Sequence, residues 1–169
     1  MLIIGYLVVI LGCGFIGLYK AAQIKKRPKE IREMINALSL LDTEIYWGLT
    51  PLPGAFALIK DRVDSPWKEL FGKLEEKINK GDSASKAWSA SIAEVRKFAC
   101  LEDEDWKVIA TIGKNLGRAD RNEEHKQLDL GQKHLALLHE KTKNQAELKA
   151  KMWSYLGFLA GFALVIVIM

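Results

Sequence analysis

Three histidines and two cysteines are the side chains of this chain best suited to holding a metal ion. His125, His134 and His139 form neither a His-Glu-x-x-His nor a paired Glu-x-x-His pattern, and neither Cys13 nor Cys100 has a second cysteine at ligand spacing. The histidines fall in a highly charged segment, where a surface position is the usual one. The sequence therefore predicts no metal site, and it indicates no cofactor.

Two Gly-Lys pairs match the Gly-Lys step of a nucleotide-binding P-loop. Neither Gly72-Lys73 nor Gly113-Lys114 follows another glycine at the spacing that a P-loop requires. No serine lies in a Gly-x-Ser-x-Gly nucleophile elbow. The Asp and Glu residues alternate with Lys and Arg, as salt-bridge partners on helix faces do. These patterns predict that the chain is not an enzyme.

The distribution of charge indicates how the chain is organised. All 25 basic and 21 acidic side chains lie within 20–151, and the segments 1–19 and 152–169 carry none. A transmembrane helix needs roughly 17–25 apolar residues. Both ends are therefore predicted to be transmembrane helices, with 20–151 as the domain between them. Trp153 and Tyr155 stand where interfacial aromatic residues are expected.

Basic residues flank both predicted spans. Positive charge beside a span stays on the cytoplasmic side, which places the predicted domain in the cytoplasm and both termini outside. The same side chains are expected to meet anionic lipid headgroups, so the net charge of +4 requires no nucleic acid as a partner. The flanking residues are Lys20, Lys25, Lys26, Arg27, Lys29, Arg32, Lys141, Lys143, Lys149 and Lys151.

A lipoprotein is the alternative interpretation of the N-terminus. The segment Ile10-Leu11-Gly12-Cys13 is similar to a lipoprotein processing site, at which Cys13 would be acylated. A signal sequence also needs basic residues at its start, and none precedes Lys20. Acylation would place the domain outside the cytoplasm, so the two interpretations differ in the side of the membrane that they predict.

The middle of the chain is predicted to be helical throughout. Ile31, Met34, Leu38, Leu41 and Ile45 recur at steps of three and four and would line one buried helix face. No run of alternating β-branched residues is long enough for a strand. The predicted fold is all-α: a compact antiparallel bundle of five or six helices with short connections, flanked by the two transmembrane helices.

One long helix is predicted at the end of the chain. Asp120 and Glu123 resemble a capping box, and no proline or turn cluster follows them. The last bundle helix should therefore be continuous with the C-terminal span. Gly157 and Gly161 have the Gly-xxx-Gly spacing that lets transmembrane helices pack closely. We expect them to pair with a second copy or with a partner helix.

Three segments, in their order and spacing, resemble one protein family. They are Gly48–Pro53, Leu116–Asp120 and Lys151–Gly161. Together with the length and the two apolar ends, they are similar to the stage III sporulation protein AB family of endospore-forming bacteria over essentially the whole chain. Gly81–Ala87 also resembles a helix start in the cytoplasmic domain of the platform protein of type II secretion and type IV pilus systems.

The resemblance implies a non-enzymatic membrane platform or adaptor of the channel complex between mother cell and forespore. Such a protein would be integral to the mother-cell membrane that faces the forespore, with its domain in the cytoplasm. Platform domains contact a secretion ATPase, so the implied partners are the sporulation ATPase protein AA and other membrane subunits of the complex. A full platform protein has two such domains, so this chain would need to form a homo-oligomer or to act with other subunits.

The partner surface is predicted at two turns in which the resemblance concentrates. Their charged residues would form charge pairs with the ATPase, and helix capping is the alternative role. A bitopic membrane sensor or signalling adaptor with a helical bundle remains the second functional hypothesis, which a polar ligand cavity would favour. The residues of the predicted surface are Thr50, Pro51, Leu52, Pro53, Arg118, Asp120 and Arg121.

Overall fold

The computed structural model describes residues 2–114, 116–117 and 120–168, apart from the side chains of residues 2–11, 13, 121, 158, 162, 164 and 167–168. The described residues form seven α-helices, one π-helical segment and no strand, so the all-helical prediction is confirmed. The elements are α1 (Leu2–Ile24), α2 (Lys26–Asp42), the π-helical segment (Thr43–Trp47), α3 (Leu52–Lys60), α4 (Trp67–Asn79), α5 (Ala84–Val95), α6 (Asp103–Ile112) and α7 (Arg121–Ile168).

The chain divides into two compact units. One unit is Lys29–His139, and the other combines the terminal parts Met1–Pro28 and Glu140–Met169. The first unit contains both turns of the predicted partner surface. The predicted boundaries of the three segments 1–19, 20–151 and 152–169 stay predictions.

The predicted apolar stripe forms part of the core of the Lys29–His139 unit. Ile31, Met34, Leu38 and Leu41 are fully buried, and Ile45 is nearly so. This confirms the buried face that the three-and-four spacing predicts. Large aromatic side chains complete the core, because their area contributes most to burial. They are Phe56, Trp67, Phe71, Trp88 and Trp106.

Several helix boundaries follow the local chemistry of the sequence. Ser83 is the N-cap of α5, as expected for a short polar side chain. The acidic run at the start of α6 forms a capping box, in which the Glu102 N–H donates to Asp105 Oδ2 at 2.9 Å. α7 is one helix of 48 residues, which agrees with the continuous helix predicted from Asp120 onward.

Two helix ends differ from expectation. Glycine commonly stands just past the end of a helix, so the sequence favours Gly48 as the end of the helix that carries the apolar stripe and Gly117 as the end of the helix before the second turn. Instead, α2 ends at Asp42 and a π-helical segment follows it, and α6 ends at Ile112. In both places the backbone hydrogen-bonding pattern changes a few residues before the glycine. The spacing of the apolar residues gives no sign of that change.

The prediction that two transmembrane helices flank the bundle is wrong. Among the described residues, no helix combines the length and the apolarity that crossing a membrane requires. A spanning helix needs roughly 17–25 consecutive apolar residues.

Candidate functional site

A π-helical segment precedes the first predicted turn. It covers Thr43–Trp47, and the Gly48 N–H donates to the Thr43 carbonyl at 3.0 Å across its end. π-Helical turns are rare and occur frequently at functional sites, because the wide turn displaces side chains from the regular helix register. Here the displaced residues are Tyr46 and Trp47, which come directly before the turn.

Leu49 adopts the left-handed backbone conformation, with φ at 54°. This region is costly for residues other than glycine, and such strain persists where the surroundings impose it. Here the surroundings include Thr50, whose N–H donates to the Glu44 carbonyl and whose Oγ1 donates to Glu44 Oε2, both at 2.9 Å. The fixed conformation leaves the Leu49 side chain 59% exposed.

Trp47 is the most exposed tryptophan among the described residues, with 75% of its surface open to solvent. Its ring meets the edge of Tyr46, with centroids 5.0 Å apart and planes at 85°. An exposed tryptophan beside an exposed leucine forms a small apolar patch. Tryptophan is enriched among the residues that dominate protein–protein binding energy, so this patch is suited to contact with another protein.

Tyr46 anchors this segment to α7. Its ring stacks on His125, with centroids 4.6 Å apart and planes 24° apart. His125 Nδ1 lies 2.7 Å from Asp42 Oδ1, and it is the donor because an ionised carboxylate only accepts. The Tyr46 hydroxyl donates to Asn122 Oδ1 at 3.3 Å. These contacts hold the base of the patch while Trp47 stays exposed.

The second predicted turn is fixed by a buried carboxylate. Gly117 has φ at +76°, and its N–H donates to Oε1 of Glu124, a residue that is only 8% exposed. A Cβ at Gly117 would come within 3.1 Å of Ala84 Cβ and 3.2 Å of Leu52 Cδ1. The close approach of Leu52 shows that the structure brings the two predicted turns together.

Some of the predicted surface residues already form hydrogen bonds within the chain, and they differ in exposure. Thr50 is engaged with Glu44, as described above. The Asp120 carbonyl accepts the N–H groups of Glu123 and Glu124, both at 2.9 Å, at the start of α7. Pro51 is exposed, while Leu52 and Pro53 are half-buried. The prediction for Arg118 lies outside the described residues, and the Arg121 side chain is likewise outside them.

A very small cavity lies beneath the two turns. It measures about 10 Å³ and is lined by residues that include Ile45, Leu116 and Glu124. One water molecule needs about this volume, so the space cannot take a larger ligand. The described residues contain no group of three or more His, Cys, Asp or Glu side chains placed for a metal ion.

The glycines predicted for helix pairing lie in the other unit. A Cβ at Gly17 of α1 would come within 2.8 Å of the Trp153 carbonyl oxygen and 3.0 Å of Gly157 Cα. Two glycines thus meet where α1 and α7 approach within one chain. Gly161 is also buried. Pairing of these glycines with a second copy or a partner helix stays a prediction.

The sequence did not single out the residue that dominates the patch. Trp47 was not predicted as part of the surface, and Leu49 entered only as a member of the turn Gly48–Pro53. One signal was available, because Trp47 falls outside the three-and-four stripe that ends at Ile45. The pairing of His125 with Asp42 had no such signal, since 83 positions separate the two residues.

Comparison with known proteins gives one consistent result. The family model described as stage III sporulation protein AB matches residues 2–169. Stage III sporulation protein AB of Bacillus subtilis (strain 168) is 32% identical over 169 residues, covering 99% of this chain and 98% of that protein. A solved structure of a stage III sporulation protein AB has a TM-score of 0.69 and 30% identity, and covers 72% of this chain and 97% of that one.

Proposed function

The chain belongs to the stage III sporulation protein AB family, as its sequence resemblance predicted, and from this premise we propose that it is a non-enzymatic adaptor that docks a secretion-type ATPase. The complex served would be the channel between mother cell and forespore, at the mother-cell membrane facing the forespore. The ATPase would be the sporulation ATPase protein AA. Family membership makes the chain a sporulation protein, and the adaptor role is the finer proposal.

The observation that carries the proposal is the exposed apolar patch beside the two predicted turns. We call it the Trp47 surface and define it as Trp47, Leu49, Pro51 and the turn at Gly117. Burying the exposed three-quarters of a tryptophan would contribute about 3–5 kcal/mol as an upper estimate. That is enough for one residue to dominate an interface of ordinary size.

The surroundings of Trp47 support a preorganised contact. His125 and Asn122 hold Tyr46 from one side, and the bonds between Thr50 and Glu44 fix the backbone after it. Docking onto a surface that is already ordered costs less conformational entropy than docking onto a mobile loop. The left-handed backbone at Leu49 is strained, and strain of this kind clusters at functional sites.

The test is co-expression with the cognate ATPase, followed by affinity capture with and without nucleotide. Trp47→Ala is expected to weaken capture at least tenfold, equivalent to about 1.4 kcal/mol. Phe98→Ala is the matched control, because Phe98 is 77% exposed but lies elsewhere, between α5 and α6. Its capture should equal that of the unmodified chain.

The charged part of the predicted surface is tested in the same assay. Arg118→Glu combined with Arg121→Glu should weaken capture and reduce its salt dependence, because exposed charge pairs are screened by salt. Full capture by both this double variant and Trp47→Ala would show that the ATPase docks at another surface. Loss with Phe98→Ala alone would assign docking to a different surface.

A further inference from the structure

A groove of about 340 Å³ runs between α6 and α7 in the Lys29–His139 unit. Val108 and Ile112 of α6 and Leu130 of α7 give it an apolar lining. Ile112 also occupies the space beside Gly131, since a Cβ there would come within 2.5 Å of Ile112 Cγ1. The two helices therefore approach closely below the groove, which has a closed apolar floor and an open top.

The rim of the groove carries groups that can donate hydrogen bonds to an acid. Lys107 of α6 and His134 of α7 stand on opposite walls, and both are exposed. An ammonium group and an imidazole N–H both donate to carboxylates. The groove is thus complementary to an apolar side chain that is accompanied by acidic residues.

Phe98 has these properties. It lies in the turn between α5 and α6 and is 77% exposed. Its N–H donates to the Val95 carbonyl at 2.9 Å, which fixes the backbone that presents the ring. Glu102 and Asp103 follow it closely in the chain and are also exposed. Glu102 caps α6, and Asp103 is bonded to Arg96 in an exposed ion pair that is only weakly held in solvent. This chain therefore carries, on one surface, the kind of segment that its groove would accept.

The position of both features along α6 selects the mode of contact. α6 begins at Asp103, and Lys107 lies four residues further, about 6 Å along the helix axis. Because ring and groove flank the same short helix, two copies related by a two-fold axis can exchange both contacts at once. We propose that a second copy of this chain docks here, with Phe98 of each copy in the α6/α7 groove of the other.

The expected association is weak. Burying one phenylalanine removes about 150–250 Å² of surface, whereas stable interfaces bury about 1,200–2,000 Å² in total. Two rings and their rims supply only part of that area. The dimer should therefore form in the micromolar range or above, and salt should weaken it by screening the rim charges. This inference uses different residues from ATPase docking and does not depend on it.

The test is sedimentation velocity of the full chain in one fixed buffer, over a concentration series up to about 100 µM. The unmodified chain should shift from monomer to dimer. Phe98→Ala and, separately, Val108→Trp, which fills the groove, should each raise the dissociation constant at least tenfold. Lys107→Glu at the rim should have a similar effect without altering the floor, and circular dichroism checks that each variant is folded.

Mixing provides the decisive comparison. Phe98→Ala retains an intact groove, and Val108→Trp retains an intact ring, so an equal mixture restores one of the two contacts. The mixture should associate more strongly than either variant alone, and Trp47→Ala should associate like the unmodified chain. A chain that stays monomeric at the highest concentration overturns the proposal. So does a Phe98→Ala variant that dimerises normally, because another surface would then hold the dimer.

Discussion

Leu49 is the residue at which stability and binding are expected to conflict. A left-handed conformation costs a residue with a Cβ about 1–2 kcal/mol, and the Leu49 side chain recovers little of this because it is mostly exposed. Leu49→Gly should therefore raise the free energy of unfolding by about 0.5–1 kcal/mol, after allowing for the greater freedom of glycine in the unfolded chain. The same substitution should weaken capture of the ATPase.

The control for this prediction is a leucine of similar exposure in a regular helix. Leu58 lies in α3 and is 42% exposed, so Leu58→Gly should destabilise the chain by about 1 kcal/mol through lost helix propensity. Chemical denaturation measures both variants. A loss of stability with Leu49→Gly equal to that with Leu58→Gly would mean that the Leu49 side chain stabilises the fold.

Gly113 is required by the packing of an indole ring. A Cβ at this position would lie 2.0 Å from Trp88 Cδ1, and the indole N–H of Trp88 is bonded to the Ile109 carbonyl at 2.9 Å. The ring therefore cannot withdraw without losing a buried hydrogen bond. Gly113→Ala should lower the free energy of unfolding by about 1–3 kcal/mol, as overpacking of a core does.

Gly72→Ala is the matched control for Gly113→Ala. A Cβ at Gly72 would meet only Lys60 Cδ at 3.2 Å, and a flexible lysine can move aside. Since alanine favours a helix over glycine by about 1 kcal/mol, this variant should be as stable as the unmodified chain or more so. An equal loss in both variants would point to backbone effects and not to the indole contact.

For single residues, the sequence predicts where a turn lies better than it predicts the backbone conformation and the contacts of the residues around it. The turn at Thr50–Pro53 was located from its prolines, and the structure places Leu52 beside Gly117 of the second turn. The π-helical turn and the left-handed residue between α2 and that turn were not foreseen. The π-helical segment contacts α7 through Tyr46, and pattern matching within a short window contains no information on such distant partners.

Among the elements, α4 and α5 are joined by a charge cluster that should respond to pH. Glu94 of α5 accepts hydrogen bonds from Lys73 and Lys77 of α4, with the Lys77 pair at 3.0 Å. These bonds lower the pKa of Glu94 below its ordinary value of 4.5, and they raise the pKa of Lys73. The folded chain thus holds the Glu94 proton less tightly than the unfolded chain does.

The sign of the pH dependence follows from that difference. Ionised Glu94 stabilises the fold above pH 4.5, and this contribution is lost as the pH falls through the lowered pKa. Glu94→Gln should therefore have a lower melting temperature than the unmodified chain at pH 7. The gap should close as the pH is lowered below 4.5, as thermal unfolding at a series of pH values would show.

Glu76→Gln provides the comparison for the charge cluster. Glu76 has a lowered pKa as well, but its partner Lys80 lies in the same helix, four residues away. Pairs of this kind are weak, because solvent screens the charges and the pair joins no second element. A Glu94→Gln gap that is no larger than that of Glu76→Gln, or that is independent of pH, would contradict a stabilising link between α4 and α5.

Helices are the level at which sequence reasoning succeeded most clearly. The spacing of Ile31, Met34, Leu38, Leu41 and Ile45 identified a buried face, and all five residues are buried. Periodicity works here because burial of one helix face depends on residues within the same short segment. Helix ends were less accurate, since the ends of α2 and α6 depend on neighbours that the periodicity does not contain.

For the whole molecule, the family resemblance and the all-helical character were predicted correctly, and the two transmembrane helices that were to flank the bundle were not. The family match covers residues 2–169, and the described residues are helical with no strand. The two spans were inferred from the absence of charge at the ends. That inference is overturned, because none of the helices that the structure describes is both long enough and apolar enough to cross a membrane.

The two proposed surfaces can be separated within one molecule. Trp47→Ala should impair capture of the ATPase while leaving self-association intact, and Phe98→Ala should do the reverse. Each variant thus serves as the folding control for the other. Joint loss of both activities in either variant would mean that the exposed aromatic residue supports the whole Lys29–His139 unit and not a single contact.

Contacts made by the first turn of α7 provide a way to detect docking at the Trp47 surface. Asn122, Glu124 and His125 lie within one helical turn. Asn122 and His125 hold the hydroxyl and the ring of Tyr46 beside the Trp47 surface, and Glu124 holds the Gly117 N–H within it. One turn of helix is thereby linked to the base of the patch and to the second turn. A ligand that binds the ordered patch should therefore also make the opening of this helical turn less favourable. Amide exchange at the first turn of α7 would report occupancy of the patch without any probe on the patch itself.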